Sequence, residues 1–183
     1  MSKIKNIVIN WLPFAVVVTA FCALTYAAVQ QALRQGLNDP QIQMAEDTAY
    51  ALNHGATFDS IVAGSQVEMS HSLAPFIDTY DTNGNVIAGD GLLNGQLPDY
   101  PQGALDRARQ NGENRVTWQP QPDVRIASVV VPYDTGFVVA GRNMREVEQR
   151  EDQTELLAGA TWLLALIATF SVIAFGEFVL VQK

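Results

Sequence analysis

The sequence predicts an α+β protein in which a five-stranded antiparallel sheet with helices lies between two transmembrane α-helices. Two long apolar runs enclose a polar middle in this chain of 183 residues. Within that middle, an Asn-Gly pair separates two runs of β-forming residues, which is a strong signal for a hairpin. Three more β-forming runs, divided by turn residues, follow a short helical stretch and complete the sheet.

The first apolar run is long enough to cross a membrane, because about 20 apolar residues span the hydrocarbon core. We assign residues 1–6 to a cytoplasmic tail and 7–35 to the first transmembrane helix, since no charge occurs between Lys5 and Arg34. The run exceeds the roughly 7–15 apolar residues of a signal peptide. It is therefore expected to remain in the protein as a membrane anchor.

The second apolar run belongs to a segment without strong helix breakers. Residues 144–181 are predicted as an exit helix continuous with the second transmembrane helix, followed by a cytoplasmic tail at 182–183. Glu177 is the one charge in this run. It is either an intramembrane site or a carboxylate that reaches the nearby interface, and the second interpretation is favoured.

The charges at the chain ends predict the topology. All three lysines, Lys3, Lys5 and Lys183, lie in or beside the tails, which suits a cytoplasmic location. We expect a two-pass protein of the cell membrane whose region 34–155 is extracytoplasmic, with residues 39–143 forming its folded domain. The membrane lipid is then the first partner of the chain.

The folded domain is expected to begin with helices. Gly36 is predicted to end the first helix, and Asp39-Pro40 to begin a new one that closes at Gly55. A helical turn follows from Phe58 to Ala63. Residues 65–74 are ambiguous, and a helix is the expectation there.

The hairpin signal lies at Asn83-Gly84, between the β-forming runs 75–81 and 86–89. Asp81, Asn83 and Asn85 also resemble the start of a calcium-binding loop. Val86 stands where that loop needs glycine, and Leu92 stands where it needs glutamate. Calcium is therefore rejected, and no other metal or cofactor site is predicted.

The rest of the domain is predicted as a loop, a helix and a three-stranded meander. Residues 91–99 form the loop, and Pro101 begins a helix that turns Leu105 and Ala108 inward and ends at Asn111-Gly112. The strands are 114–119, 124–132 and 137–140, joined by turns at 120–123 and 133–136. Asn143 and Glu146 resemble a capping pair. This order predicts helices on one face of the sheet.

The charge balance excludes one class of partner. Eighteen acids lie between the spans, against eight arginines and no lysine. Nucleic acid requires a basic face, so it is not expected as a partner. The single cysteine, Cys22, lies inside the first span, so the domain contains no disulfide.

The order of elements resembles the single Cache domains of bacterial sensors, which are PAS-like folds between two membrane spans. The resemblance covers roughly residues 7–181, and its residues are the hairpin 76–81 with Gly84, the strands 124–132 and 137–140, and the exit helix from Asn143. The chain is also similar to a group of bacterial two-span membrane proteins, through residues 38–43, 118–120, 136–138 and 141–142. That second likeness implies no activity.

The Cache resemblance implies a small-ligand pocket between the central sheet and the helices and loops that cover it. The candidate ligand-binding residues are Asp78, Tyr80, Trp118, Arg125 and Tyr133. An arginine beside aromatic rings suits a carboxylate-bearing ligand. In the alternative interpretation, Tyr80 and Trp118 belong to the core, and Arg125 is a solvated edge residue or pairs with Asp123.

The spans carry small residues at helical spacing, which allow helices to approach closely. These helix-packing candidates are Ala15, Thr19, Ala23, Ala27, Thr161, Ala165 and Thr169. They predict pairing of the two spans with each other, or contact with another membrane protein or a second copy of the chain. The sequence shows no cytoplasmic output region, so signalling through a partner membrane protein is expected.

Catalysis is not expected. His54 and His71 are the only histidines, and no ligand-spaced cluster accompanies them. Ser70-His71-Ser72 places hydroxyls beside a histidine, but a catalytic triad depends on geometry and not on adjacency. The sequence therefore predicts an extracytoplasmic sensory or small-ligand-binding module. A structural accessory subunit of a larger membrane complex is the alternative.

Overall fold

The computed structural model describes residues 2–61 and 66–179, without the side chains of residues 2, 34, 35, 37 and 38. The chain divides into two compact units. The first contains residues 1–33 and 149–183, and the second contains residues 34–148. The predicted tail at 182–183 and the last residues of the predicted exit helix lie outside the described part of the chain.

Among the residues that the structure describes, two helices are long and apolar enough to cross a membrane. They are α1, Ser2–Asn53, and α4, Arg145–Val179. The candidate span of α1 is Lys3–Leu33, and that of α4 is the whole helix. Only 6% of the apolar window of α1 is buried, and none of the window of α4. Most apolar side chains of these two windows therefore face outward, unlike those of a core helix in a soluble protein.

The predicted break after residue 35 is wrong. Helix α1 continues through Gly36 and through Asp39-Pro40 to Asn53. Pro40 has no N–H and so removes one intrahelical hydrogen bond. Packing of the later part of α1, including the buried Ala45 and Ala49, accompanies this continuation. Tertiary packing contributes more to helix stability than local propensity does. This explains why α1 does not end at Gly36 or at Asp39-Pro40.

The second unit is built on a five-stranded antiparallel sheet, as predicted. The elements of this unit after α1 are α2 Phe58–Ile61, β1 Val67–Glu68, β2 Phe76–Asp81, β3 Val86–Gly89, β4 Gly91–Leu92, α3 Gln102–Asn111, β5 Asn114–Gln121, β6 Val124–Tyr133 and β7 Gly136–Asn143. The strand order of the sheet is β3-β2-β7-β6-β5.

The Asn-Gly hairpin is confirmed. Strands β2 and β3 pair antiparallel, and Gly84 has the positive φ of 87° that the turn requires. Asp81 accepts hydrogen bonds from the backbone N–H groups of Asn83 and Asn85, each at 2.8 Å, and from the side chain of Asn85. These bonds, led by the Asn85 side chain, hold the pKa of Asp81 below its usual value. The residues that resemble a calcium loop thus stabilise the turn.

Two local predictions before and after this hairpin are wrong. Residues 67–68 form strand β1 and not a helix, and residues 91–92 of the predicted loop form strand β4. The two strands pair in parallel, with Val67 opposite Gly91. Both segments are strands because they pair with each other, although they lie 24 residues apart in the sequence. The predicted turn from Phe58 is helical to Ile61, and Ala63 lies outside the described residues.

Helices cover both faces of the sheet, which corrects the prediction of one covered face. One face packs against α3 through Leu105 and Ala108, both fully buried. The other packs against α1 through Ala45 and Ala49. Successive side chains of a strand point to opposite faces. Phe76 and Tyr80 of β2 accordingly join the α3 side, whereas Ile77, between them in sequence, joins the α1 side.

Some predicted ends of the later elements are confirmed, whereas β7 runs to Asn143 and not to Ala140 as predicted. Gly112 closes α3 in the left-handed conformation, and its N–H donates to the carbonyl of Ala108 at 2.8 Å. The β5–β6 turn is shorter than expected, because Gln121 pairs with Val124. The Asn143 side chain caps the start of α4, since its oxygen accepts from the N–H of Arg145 at 2.8 Å.

Candidate ligand-binding cleft

A cleft of about 400 Å³ opens between the segment after β4 and the end of β5. Its volume lies within the range of small-molecule sites. Its lining mixes apolar side chains with amides, one carboxylate and one indole: Leu93, Gln96, Leu97, Pro98, Asp99, Trp118, Gln119 and Pro120. Among these residues only Trp118 was a candidate from the sequence.

One wall of the cleft is a tight turn within the predicted loop 91–99. Leu93 and Gln96 exchange backbone hydrogen bonds of 2.8 and 3.2 Å. Asn94 and Gly95 between them have φ values of 55° and 77°. Positive φ at both central positions defines the hairpin turn that Asn-Gly favours. The same dipeptide signal that located the first hairpin would therefore have located this turn.

Glu68 fixes the turn in place. Its carboxylate accepts hydrogen bonds from the N–H groups of Asn94 and Gly95, both at 3.0 Å, and from the Ser70 hydroxyl at 2.9 Å. Partial burial would raise the pKa of Glu68, but these hydrogen bonds outweigh it and leave the pKa lowered. The Asn94 side chain also donates to the Gln121 side-chain oxygen at 3.0 Å, which joins the two walls.

An aromatic cluster lies beneath the cleft. The ring of Tyr100 makes an edge contact with Trp118, at 4.9 Å between centroids, and packs against Tyr80 at 5.8 Å. The Tyr80 hydroxyl donates to the carbonyl of Pro98 at 3.0 Å. The Ser128 hydroxyl donates to the Val116 carbonyl, so the Tyr100 hydroxyl donates to Ser128 at 2.7 Å. The floor is thus held by buried hydrogen bonds.

Asp78 is a buried acid behind the Leu97 wall. One of its oxygens accepts from the N–H of Gly91 at 3.0 Å, and the other has no hydrogen-bond partner among the described residues. Burial raises the pKa of Asp78 to about 8, so the acid holds a proton at neutral pH. A Cβ at Gly89 would lie 2.0 Å from Asp78 Oδ1 and 2.8 Å from Leu97 Cδ2. Glycine at this position therefore leaves room for the carboxyl group.

The structure brings together three of the predicted ligand-binding residues and separates the other two. Asp78, Tyr80 and Trp118 share the α3 side of the sheet. Tyr133 packs against the cluster on the opposite face. Arg125 pairs with Glu148, which is neither the predicted partner Asp123 nor a cleft residue. The expected arrangement of an arginine beside aromatic rings is therefore absent from the described site.

The spans contact each other within the first unit. The indole N–H of Trp11 donates to the Thr169 hydroxyl at 3.1 Å, and that of Trp162 donates to the Thr19 hydroxyl at 2.9 Å. At one end of the pair, the Asn6 side chain donates to Glu177 at 3.4 Å. These contacts join early residues of α1 to late residues of α4, so the two spans run antiparallel.

The helix-packing candidates have different surroundings. Ala15, Ala165 and Thr169 are half-buried, whereas Thr19, Ala23, Ala27 and Thr161 are exposed. Two apolar grooves border the helix pair, with volumes of about 580 and 290 Å³. Thr161 and Ala165 line the larger groove, and Thr19 and Ala23 line the smaller one. The small residues thus contribute both to span pairing and to the exposed surface.

Comparison with known proteins gives no relative. No family model, curated protein or solved structure matches this chain.

Proposed function

We propose that this protein is a membrane-anchored sensory or small-ligand-binding module whose folded domain is extracytoplasmic and Cache-like. The observation that carries the proposal is the cleft beside Trp118. It has the volume of a small-molecule site, and its lining is mainly polar, with the amides of Gln96 and Gln119 and the carboxylate of Asp99 beside a smaller apolar surface. The hydrogen bonds that Glu68 accepts from the turn, and the one that Asn94 donates to Gln121, fix its walls before a ligand arrives, and such preorganisation favours affinity.

The fold supports the same proposal. A hairpin, a helix and a three-stranded meander form the antiparallel sheet between two apolar helices, in the element order that prompted the Cache resemblance. Signalling would then pass to a partner membrane protein through the spans. Their exposed apolar side chains and the two grooves offer surface for such contact.

A structural accessory subunit is the second candidate. The grooves along the span pair favour it, because apolar grooves within a membrane accept neighbouring helices. The two functions differ in what the cleft does. A sensory module binds a small molecule there, whereas an accessory subunit needs no occupant.

The function is tested by purifying the full-length chain from its native membrane under mild conditions. We expect mass spectrometry of the denatured sample to reveal a small molecule in proportion to the protein. A chain that carries no small molecule, and gains none from the low-molecular-weight fraction of its own cells, contradicts the ligand-binding function and leaves the accessory subunit.

The extracytoplasmic location gives a separate prediction. The chain has a single cysteine, so the Cys22→Ala variant provides a background for site-directed labelling. In spheroplasts, a membrane-impermeant maleimide should label Thr135→Cys, in the exposed β6–β7 turn, before lysis. The matched variant Lys3→Cys, in the proposed cytoplasmic tail, should be labelled only after lysis. The reverse pattern would place the domain in the cytoplasm.

A further inference from the structure

We infer that the cleft takes a small organic cation, namely an ammonium compound with a short apolar portion, rather than the carboxylate-bearing ligand that the sequence suggested. This inference rests on the proposed ligand-binding function and names the chemical class of the ligand. It depends on three properties of the cleft: its charge, its aromatic ring and its hydrogen-bond acceptors.

The charge of the lining is negative. Of the eight residues that line the cleft, Asp99 is the one charged residue. Five arginines of the same unit contact groups elsewhere: Arg109 binds Asp106, Arg115 binds Glu113, Arg125 binds Glu148, Arg142 binds the Leu73 carbonyl and Arg145 binds the His71 carbonyl. A carboxylate ligand would meet Asp99 without a counter-charge, and like charges in a binding site oppose association.

Trp118 also lines the cleft, with 8% of its surface exposed and the rest packed in the core on the α3 side of the sheet. Tryptophan is the best aromatic partner for a cation, because its ring face is electron-rich. The edge contact with Tyr100 holds the indole at one orientation. An ammonium group between the Asp99 carboxylate and the indole would gain both a charge-assisted hydrogen bond and a cation–π contact.

The other lining groups suit the rest of such a ligand. Gln96 and Gln119 carry side-chain oxygens that accept hydrogen bonds from ammonium N–H groups. Leu93, Leu97 and Pro120 offer apolar surface for a short carbon chain or ring. The lining therefore provides hydrogen-bond acceptors for the ammonium group and apolar contacts for the short carbon chain or ring.

The surrounding unit strengthens the preference for a cation. Residues 34–148 contain fifteen acids and seven arginines, which is a net charge of −8 when every acid is ionised (7 − 15 = −8). An excess of one charge raises the local concentration of the opposite ion near a cleft. Charge around the cleft and charge within it thus act in the same direction.

The test compares three probes of similar shape and different charge: 2-phenylethylamine, 3-phenylpropionate and 2-phenylethanol. It uses the full-length chain in detergent with Trp11→Phe and Trp162→Phe, which leaves Trp118 as the sole tryptophan. Both replacements lie in the first unit and leave the cleft residues unchanged. We expect the amine to change Trp118 emission at a concentration roughly tenfold or more below that of the carboxylate, since charge-assisted bonds give about this factor.

Two variants locate the effect in the cleft. Asp99→Asn keeps the shape of the side chain. Because Asp99 is exposed, the change should weaken the affinity for the amine by roughly two- to fivefold and leave the affinity for 2-phenylethanol unchanged. Asp134→Asn removes the same charge from a turn that does not line the cleft, and it should leave the affinity for the amine unchanged.

The outcomes separate this inference from the proposed function. Preferential binding of 3-phenylpropionate would overturn the cation assignment and keep the ligand-binding function. Equal loss of amine affinity in Asp99→Asn and Asp134→Asn would also overturn it, because the selectivity would then come from net charge alone. If none of the three probes changes Trp118 emission, the cation assignment falls, and the native purification described above still decides the ligand-binding function.

Discussion

Replacing Gly136 by alanine should destabilise the sheet domain by about 3 kcal/mol or more, the scale of severe steric and packing errors. Gly136 begins β7, opposite Asp81 of β2 and Tyr133 of β6. A Cβ at this position would lie 1.9 Å from the backbone oxygen of Tyr80 and 3.0 Å from its carbonyl carbon. Because backbone atoms cause the clash, no side-chain rotation relieves it. The β2–β7 pairing at the centre of the sheet would have to open.

The measurement is urea unfolding of the full-length chain in detergent, with Trp118 as the sole tryptophan. Gly103→Ala is the matched control, because Gly103 lies in α3 with nothing within 4 Å of an added Cβ. Alanine stabilises a helix by up to about 1 kcal/mol relative to glycine. Gly103→Ala should therefore unfold at a urea concentration equal to or higher than that of the wild type. Equal midpoints for Gly136→Ala and the wild type would contradict the close approach of β2 and β7.

Replacing Asp78 by asparagine should remove a pH dependence from the stability of the domain. Burial raises the pKa of Asp78 from 3.8 to about 8 in the folded protein. Between these two values the folded state retains a proton that the unfolded state has lost. Stability therefore falls as pH rises from about 4 to 8 and levels off above, with a slope of up to about 1.4 kcal/mol per pH unit. Asparagine cannot ionise and still offers an oxygen to the Gly91 N–H.

The experiment measures urea midpoints of both proteins at pH 5, 6, 7 and 8. The free energy of unfolding of Asp78→Asn relative to that of the wild type should rise by at least about 1–2 kcal/mol across this range. This figure is smaller than the full slope would give, because the protein relaxes around a buried charge. Burial also raises the pKa of Asp90, which is present in both proteins and whose charge adds to the raised pKa of Asp78. Glu68 and Asp81 have lowered pKa values, and their contribution changes only in more acidic solution. Parallel curves would show that Asp78 is not a buried neutral acid.

The elements with local signals were predictable from the sequence. Asn83-Gly84 specified the first hairpin, and Gly112 specified the end of α3, because each glycine adopts a positive φ that other residues avoid. Asn94-Gly95 carries the same signal, but no long β-forming runs flank it, so the pattern around it did not predict a hairpin. Strands β1 and β4 have only two residues each, and their pairing depends on contacts that no local pattern encodes.

The site was only partly predictable, because its members come from separate segments. Trp118 was identified as an aromatic near the predicted pocket, whereas Asp99 and the amides of Gln96 and Gln119 carry no sequence signature. Arg125 was predicted in the ligand pocket, but it pairs with Glu148 in α4. The alternation of side chains along β6 does not reveal a partner that follows the sheet in the sequence. Because Arg125 lies away from the cleft, no described arginine there favours a carboxylate, and we propose a cation as the ligand.

The most direct test of the ligand-binding cleft compares what two full-length proteins retain through native purification. Gln119→Trp places a bulky ring at a residue that lines the cleft, and Gln110→Trp makes the same change on the exposed surface of α3. We expect mass spectrometry to find the bound small molecule with the wild type and with Gln110→Trp, and to find it depleted from Gln119→Trp. Equal retention by all three proteins, or retention by none, would contradict a ligand site between the 93–96 turn and the end of β5.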